Sequence, residues 1–416
     1  MPRALLVVVL VGACTAQPLD LSERAAAGAD LAAPSDGGAA ADLEAPDLLG
    51  PPDLAKRTRC GTPQSFAAGT NPYAIAAGDL DRDGKLDLVV GDFDPNNKSP
   101  LGVNVLFGRG DGTLAPPISY AAGSAYIESV VIDDIDRDGS LDVIVADHGS
   151  QPQVTIFFGD GSGALVGGSN VTIASLVGLA PDTVITADFN SDGKPDLATA
   201  NSSQVGQDTS VVLNQGSRAF ATPHVYNAGF VSSSIIAGDF NRDGKLDLIR
   251  NDPFPAGSPS PPGRLALLLG HGDGTFATPS YVTLGTRDVW LTSADLNNDG
   301  KLDLVSANFD GGSVSLLRGN GDGSFAAATT LGAQPQVAFV ASADWNRDGR
   351  LDLLVAGADG VTLLLGKGDG TFADAVQCPI GSTRQLATGD FDGDGRLDIV
   401  TTNPDANMIN VLLNPG

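Results

Sequence analysis

The sequence predicts an all-β fold, a seven-bladed β-propeller of four-stranded blades whose last blade is closed by the N-terminal strand. Three observations carry this reading. One Asp-rich motif occurs seven times, short apolar runs of strand length flank every copy, and the chain ends one strand short of a complete seventh repeat. Composition agrees: the 416 residues include 53 Gly and 26 Pro but only 16 Phe, which suits many short strands joined by tight turns.

The motif is nine residues long. It first reads Asp79-Leu80-Asp81-Arg82-Asp83-Gly84-Lys85-Leu86-Asp87, then Asp134-Ile135-Asp136-Arg137-Asp138-Gly139-Ser140-Leu141-Asp142 and Asp188-Phe189-Asn190-Ser191-Asp192-Gly193-Lys194-Pro195-Asp196. Next come Asp239-Phe240-Asn241-Arg242-Asp243-Gly244-Lys245-Leu246-Asp247 and Asp295-Leu296-Asn297-Asn298-Asp299-Gly300-Lys301-Leu302-Asp303. The last two are Asp344-Trp345-Asn346-Arg347-Asp348-Gly349-Arg350-Leu351-Asp352 and Asp390-Phe391-Asp392-Gly393-Asp394-Gly395-Arg396-Leu397-Asp398. Successive copies start 55, 54, 51, 56, 49 and 46 residues apart, a period that marks one supersecondary unit per repeat.

Each repeat parses into four strands. Small apolar residues before the motif (Ala74–Gly78, Ile235–Gly238) suit an inner strand A crowded around a central axis. Strand B follows the motif (Leu86–Val90), and strand C follows a variable loop (Val103–Phe107, Val314–Leu317, Val361–Leu365). A Gly-Asp-Gly turn comes next, at Gly110–Gly112, Gly159–Gly161, Gly272–Gly274, Gly321–Gly323 and Gly368–Gly370, degenerate at Gln215-Gly216-Ser217. Gly supplies the positive φ that such turns need. The Thr-Phe step after it (Thr275-Phe276, Thr371-Phe372) is expected to open an outer strand D. The seventh repeat stops at Gly416 without a strand D, and Pro63–Ala68, which precedes the first repeat, is placed to supply it. That closure removes two exposed sheet edges.

Oxygen-bearing side chains at positions 1, 3, 5 and 9, with the backbone carbonyl of position 7 (Lys85, Ser140, Lys194, Lys245, Lys301, Arg350, Arg396), offer a hard cation the ligands it prefers. Gly at position 6 allows a sharp turn, and the crowded carboxylates repel one another without a cation. Up to seven Ca²⁺ are therefore expected. The motifs hold 24 of the 50 acidic residues, so they account for most of the formal net charge of −26. An EF-hand is excluded, since position 12 is Val90 or Val145 in a strand pattern rather than a Glu beside a helix.

Repeats that run inner strand, Asp-x-Asp/Asn-x-Asp-Gly-x-x-Asp, strand, Gly-Asp-Gly-Thr-Phe resemble the FG-GAP or VCBS repeat family, best known from the integrin α-subunit propeller. The resemblance covers residues 60–416. It implies seven blades with calcium in the loops between strands A and B, and it fixes the fold better than the ligand.

The N-terminus, Met1 to Cys14, has one positive charge, a short apolar run and then Val11-Gly12-Ala13-Cys14, the form of a signal peptide. Its end resembles a bacterial lipobox, which implies cleavage after residue 13, lipidation at Cys14 and a place in the outer membrane or at the cell surface. The alternative is an ordinary secretory signal cut near Ala16 and a secreted protein. Residues 14–59, rich in Ala, Asp and Pro, are expected to be a disordered tether. Cys60 and Cys378 are the thiols left, and an oxidising compartment permits a bridge between them.

The acidic excess, 50 Asp and Glu against 24 Lys and Arg, argues against nucleic acid as a partner. No catalytic residues are assigned: His148, His224 and His271 fall in unrelated repeats and read as surface loop residues, and no hydrolase motif is present. The expected function is a protein-interaction or adhesion module. The alternatives are a carbohydrate-binding, lectin-like propeller and, behind it, a propeller hydrolase or lyase. Ligand contacts are expected on the face opposite the calcium loops, where residues 91–100 and 251–262 form the longest insertions. Tyr73, Tyr126, Trp290 and Phe339 precede strand A of four repeats and are read first as packing between blades.

Overall fold

In the computed structural model the described residues are 60–94, 102–122, 126–148, 153–165, 171–172, 180–202, 209–229, 232–252, 263–284 and 290–416. The signal peptide, Cys14 and the tether lie outside them, as do residues 95–100 and 253–262 of the two long loops. Seven four-stranded antiparallel sheets form the blades of a propeller.

The motif sets where strands A and B meet. Strand A of the seven blades is Pro72–Gly78, Ile127–Asp133, Pro181–Ala187, Ile235–Gly238, Trp290–Ala294, Phe339–Ala343 and Leu386–Gly389. Each ends on the residue before position 1. Strand B is Asp87–Asp92, Asp142–Asp147, Asp196–Asn201, Asp247–Asp252, Asp303–Asn308, Asp352–Gly357 and Asp398–Asn403. Each begins on the Asp at position 9, which pairs with the last residue of strand A, as in Gly78↔Asp87 and Gly389↔Asp398. Positions 1–8 are thus one hairpin loop, built seven times.

Two backbone demands fix its shape. Gly84 at position 6 has φ +83°, and an added Cβ there would meet nothing, so conformation alone selects Gly. Position 4 is also left-handed in every blade, at Arg82, Arg137, Ser191, Arg242, Asn298, Arg347 and Gly393. Six of these carry a Cβ in a region where it is disfavoured. The Asp and Asn oxygens that hold the turn offset that cost.

Strand B is the middle of each blade: all six residues of Asp87–Asp92, Asp142–Asp147 and Asp352–Gly357 are buried. The core lies between blades, where facing sheets interdigitate. Val89, Val103 and Val105 of the first blade pack with Val130, Val143 and Val145 of the second. Small residues at the end of strand A let blades converge: a Cβ at Gly389 would stand 2.3 Å from the Leu86 side chain at position 8 of the first blade.

The N-terminal strand closes the ring as expected. Gln64–Ala67 pairs antiparallel with Met408–Leu412, with Phe66 opposite Ile409, so the seventh sheet takes its outer strand from the other end of the chain. Cys60 and Cys378 are joined by a disulfide across 318 residues, tying that segment to Val376–Cys378, the outer strand of the sixth blade.

Strand D differs from expectation. It starts at Ser280 and Val376 rather than at the Thr-Phe steps. Phe276 and Phe372 instead make isolated bridges to Gly270 and Gly366. They plug a tight hairpin, with Phe276 buried, before the chain crosses to the blade's outer edge.

Candidate functional site

Two sites at opposite ends of the inner strands carry polar chemistry. The first is the set of hairpin loops. In the first, second and seventh, carboxylate oxygens of positions 1, 3 and 9 (Asp79, Asp81, Asp87; Asp134, Asp136, Asp142; Asp390, Asp392, Asp398) lie within 4.8 Å of one another. In the other four, position 3 is Asn190, Asn241, Asn297 or Asn346. Each Asn Oδ1 accepts the N–H of position 5 at 2.9–3.0 Å, the bond that Asp81 Oδ1 makes at 3.1 Å, so both residue types aim their oxygen alike.

Position 9 is the most constrained. All seven of these carboxylates are fully buried. In each, one oxygen accepts the N–H of position 2 and the other accepts the N–H at the end of strand C, as Asp247 does from Phe240 (3.1 Å) and Gly270 (2.8 Å). Burial pushes Asp87 and Asp142 up to about 7 and Asp196, Asp247, Asp352 and Asp398 up to about 6. A divalent cation beside them would restore the ionised form. Oxygen-only donors, mutual repulsion and buried carboxylates that resist ionisation together fit calcium.

Position 5 plays a second part. Asp83 Oδ1 accepts the Lys85 N–H at 2.9 Å while Oδ2 pairs with Lys85 Nζ at 2.6 Å, and Asp192 with Lys194 repeats the arrangement. Position 4 also links blades: Arg82 Nη2 donates to Ser140 Oγ of the next loop at 3.0 Å, and Asn298 Nδ2 to the Gly368 carbonyl at 3.4 Å.

The carbonyl of position 2 completes the inter-blade seam. The last Gly of a Gly-Asp-Gly turn donates to it from the following blade, Gly274 to Phe189, Gly323 to Phe240, Gly370 to Leu296 and, across the closure, Gly112 to Phe391. The third and seventh blades lack that turn. There Asn214 and Asn414 donate through Nδ2 to Ile135 (2.7 Å) and Trp345 (3.0 Å).

The second site is the channel mouth at the other end of the inner strands. Tyr73, Glu128 and Asp182 stand at the starts of strands A of three consecutive blades, and Arg384 just precedes that of the seventh. Arg384 Nη2 donates to Tyr73 Oη at 3.0 Å, and its guanidinium lies 5.9 Å from the Phe309 ring of the fifth blade. His148 Nδ1 bonds Asp182 Oδ1, and Ser202 Oγ donates to Asp182 Oδ2. Ligand atoms of Glu128, His148 and Asp182 lie within 4.8 Å of one another. Burial, then the Asp182 charge, raises Glu128 to about 7.

His148 is therefore no isolated loop residue, unlike exposed His224 and His271. Glu128, Asp182 and Arg384 were not singled out by sequence, since no spacing links residues from three blades. The aromatic residues do pack between blades: Tyr126 meets Phe93 edge-on at 4.9 Å, and Trp290 meets Phe339 at 4.6 Å. Tyr73, stacked on Phe93 at 4.9 Å, also faces Arg384.

Comparison with known proteins agrees with this geometry. The FG-GAP-like repeat model matches residues 134–199, 188–249, 256–306, 295–355 and 344–401, and the FG-GAP repeat model matches 71–97. No curated protein matches the chain. Similar solved structures include a lectin of Agrocybe aegerita that recognises non-reducing terminal N-acetylglucosamine, at 19% identity and TM-score 0.48 over 83% of this chain and 86% of that one. BBS1N in complex with ARL6DN is similar at 12% identity and TM-score 0.57, over 86% and 98% of the two chains. Such identities bear on the fold alone.

Proposed function

Because this chain belongs to the FG-GAP repeat family, we propose that it is a calcium-bound protein-interaction propeller, exported and held at the cell surface through Cys14, that takes its partner at the channel mouth. One observation carries this reading. The seven hairpin loops repeat one oxygen-rich geometry, whereas the opposite mouth draws different side chains from different blades, and a specific ligand requires such asymmetry. The FG-GAP repeat family to which the chain belongs supports a protein as partner. Adhesion through such a surface is the role that follows. The calcium ions stiffen the ring that presents this surface.

Titration calorimetry with Ca²⁺ on the chelator-treated full chain tests the first half, with several equivalents expected and fewer in Asp390→Asn. Photo-crosslinking from Phe309 tests the second. A discrete protein adduct from the cell surface, lost in Arg384→Ala, supports the reading. Glycan-array binding with no protein adduct overturns it in favour of a lectin.

A further inference from the structure

We propose that Glu128, His148 and Asp182 form a divalent transition-metal site at the channel mouth, distinct in chemistry and position from the seven hairpin loops. The donors are one imidazole nitrogen and two carboxylate oxygens, within 4.8 Å of one another. They come from strand A of the second blade, the residue that follows its strand B, and strand A of the third blade. Ligands on one zinc-sized ion at about 2 Å stand about 3–4 Å apart, so the ion takes the place of the proton between His148 Nδ1 and Asp182 Oδ1, and these two atoms separate as it binds.

A second observation points to a ligand. Glu128 is half-buried, and no hydrogen bond reaches its carboxylate among the described residues. Two carboxylates held this close repel one another, and a cation between Glu128 and Asp182 offsets that repulsion. The remaining polar groups hold the ligands still. Ser202 Oγ donates to the second oxygen of Asp182, the Gln385 side chain donates to the Glu128 backbone carbonyl at 3.1 Å, and the His148 backbone N–H donates to the Tyr126 carbonyl at 3.0 Å. The Ser202 bond orients a ligand side chain directly, and the other two fix the backbone that carries the ligands.

The donor set also selects the metal. The hairpin loops offer oxygen alone, which suits calcium, whereas imidazole favours zinc, cobalt or nickel. Three protein ligands leave coordination positions to be filled from the channel, as in zinc sites that engage a further ligand.

Co²⁺ titration of the full chain in saturating Ca²⁺, followed by visible d–d absorption, tests this. One equivalent of Co²⁺ with an intense band is expected, displaced by Zn²⁺. Glu128→Gln and His148→Gln should each weaken binding at least tenfold, while the loop variant Asp390→Asn should leave the band unchanged. No band, or a band lost only in the loop variant, overturns the proposal. Should either mouth variant fail to fold, X-ray absorption on the Co²⁺-loaded wild type decides, because a first shell without imidazole scattering rules the site out.

Discussion

The two ends of the inner strands differ in how the chain uses repetition. At the hairpin end, the same nine positions meet the same partners seven times, down to the paired hydrogen bonds on each buried Asp of position 9. At the mouth, Tyr73, Glu128, Asp182 and Arg384 occupy comparable places in their blades and share no residue type. Repetition at one end builds a ring, and departure from it at the other builds a surface with an identity. Damage to the first should therefore show as lost stability, and damage to the second as lost binding.

The largest effect should come from opening the ring. Deleting residues 60–68 removes Gln64–Ala67 and Cys60, exposing the apolar edge of Met408–Leu412. Size-exclusion chromatography should find aggregate, whereas deletion of 15–56 should leave a monomer of parental melting temperature. Equal behaviour of the two deletions would refute the closure argument. Replacing both Cys60 and Cys378 by Ser should cost about 2–5 kcal/mol by denaturant melting.

Chelation comes next, with a sign that depends on pH. Metal-free, burial raises all seven position 9 carboxylates above an unfolded Asp, Asp87 and Asp142 to about 7 and Asp196, Asp247, Asp352 and Asp398 to about 6. The folded chain then binds more protons between pH 4 and 7, so its stability falls as pH rises through that window. Bound Ca²⁺ holds these groups ionised, as they are in the unfolded chain above about pH 5, and so removes the slope. The melting temperature should therefore fall from pH 5 to 7.5 in chelator and hold steady in excess Ca²⁺. Parallel slopes would contradict calcium at these loops.

A single loop substitution should be smaller. Asp247→Ala leaves the Phe240 and Gly270 N–H groups without their acceptor, at about 1–3 kcal/mol each. Arg384→Gln at the mouth loses one hydrogen bond to Tyr73 and should cost about 1 kcal/mol or less, while abolishing partner binding. If it unfolds the protein instead, mouth and ring are not separable.

The ring was legible in the sequence because each blade restates its own rule. Position 6 announced its turn by being Gly, and the missing last strand announced the closure. Position 4 stayed mostly hidden: Asn298 and Gly393 suit a left-handed backbone, but the Arg and Ser of the other five loops give no compositional sign of it, and there the surrounding carboxylates impose it. Asn214 and Asn414 were hidden too, since an Asn standing in for a Gly-Asp-Gly turn acts across blades. The mouth was illegible for a related reason. Gln385 and Glu128 touch although 257 residues apart, and nothing periodic predicts which two of seven blades face each other through particular side chains.

The Cys60–Cys378 bridge also decides how the molecule bears load. Tension arriving along the chain from its N-terminal side reaches Cys60 before it reaches Gln64. It is diverted covalently into the outer strand of the sixth blade, and the four residue pairs between Gln64–Ala67 and Met408–Val411 sit in its mechanical shadow. With the bridge reduced, the same tension would peel those pairs one after another, and the lifetime of the ring under force would be set by its weakest seam. The disulfide makes the clasp a bystander to the pull, so what yields first is a blade rather than the closure.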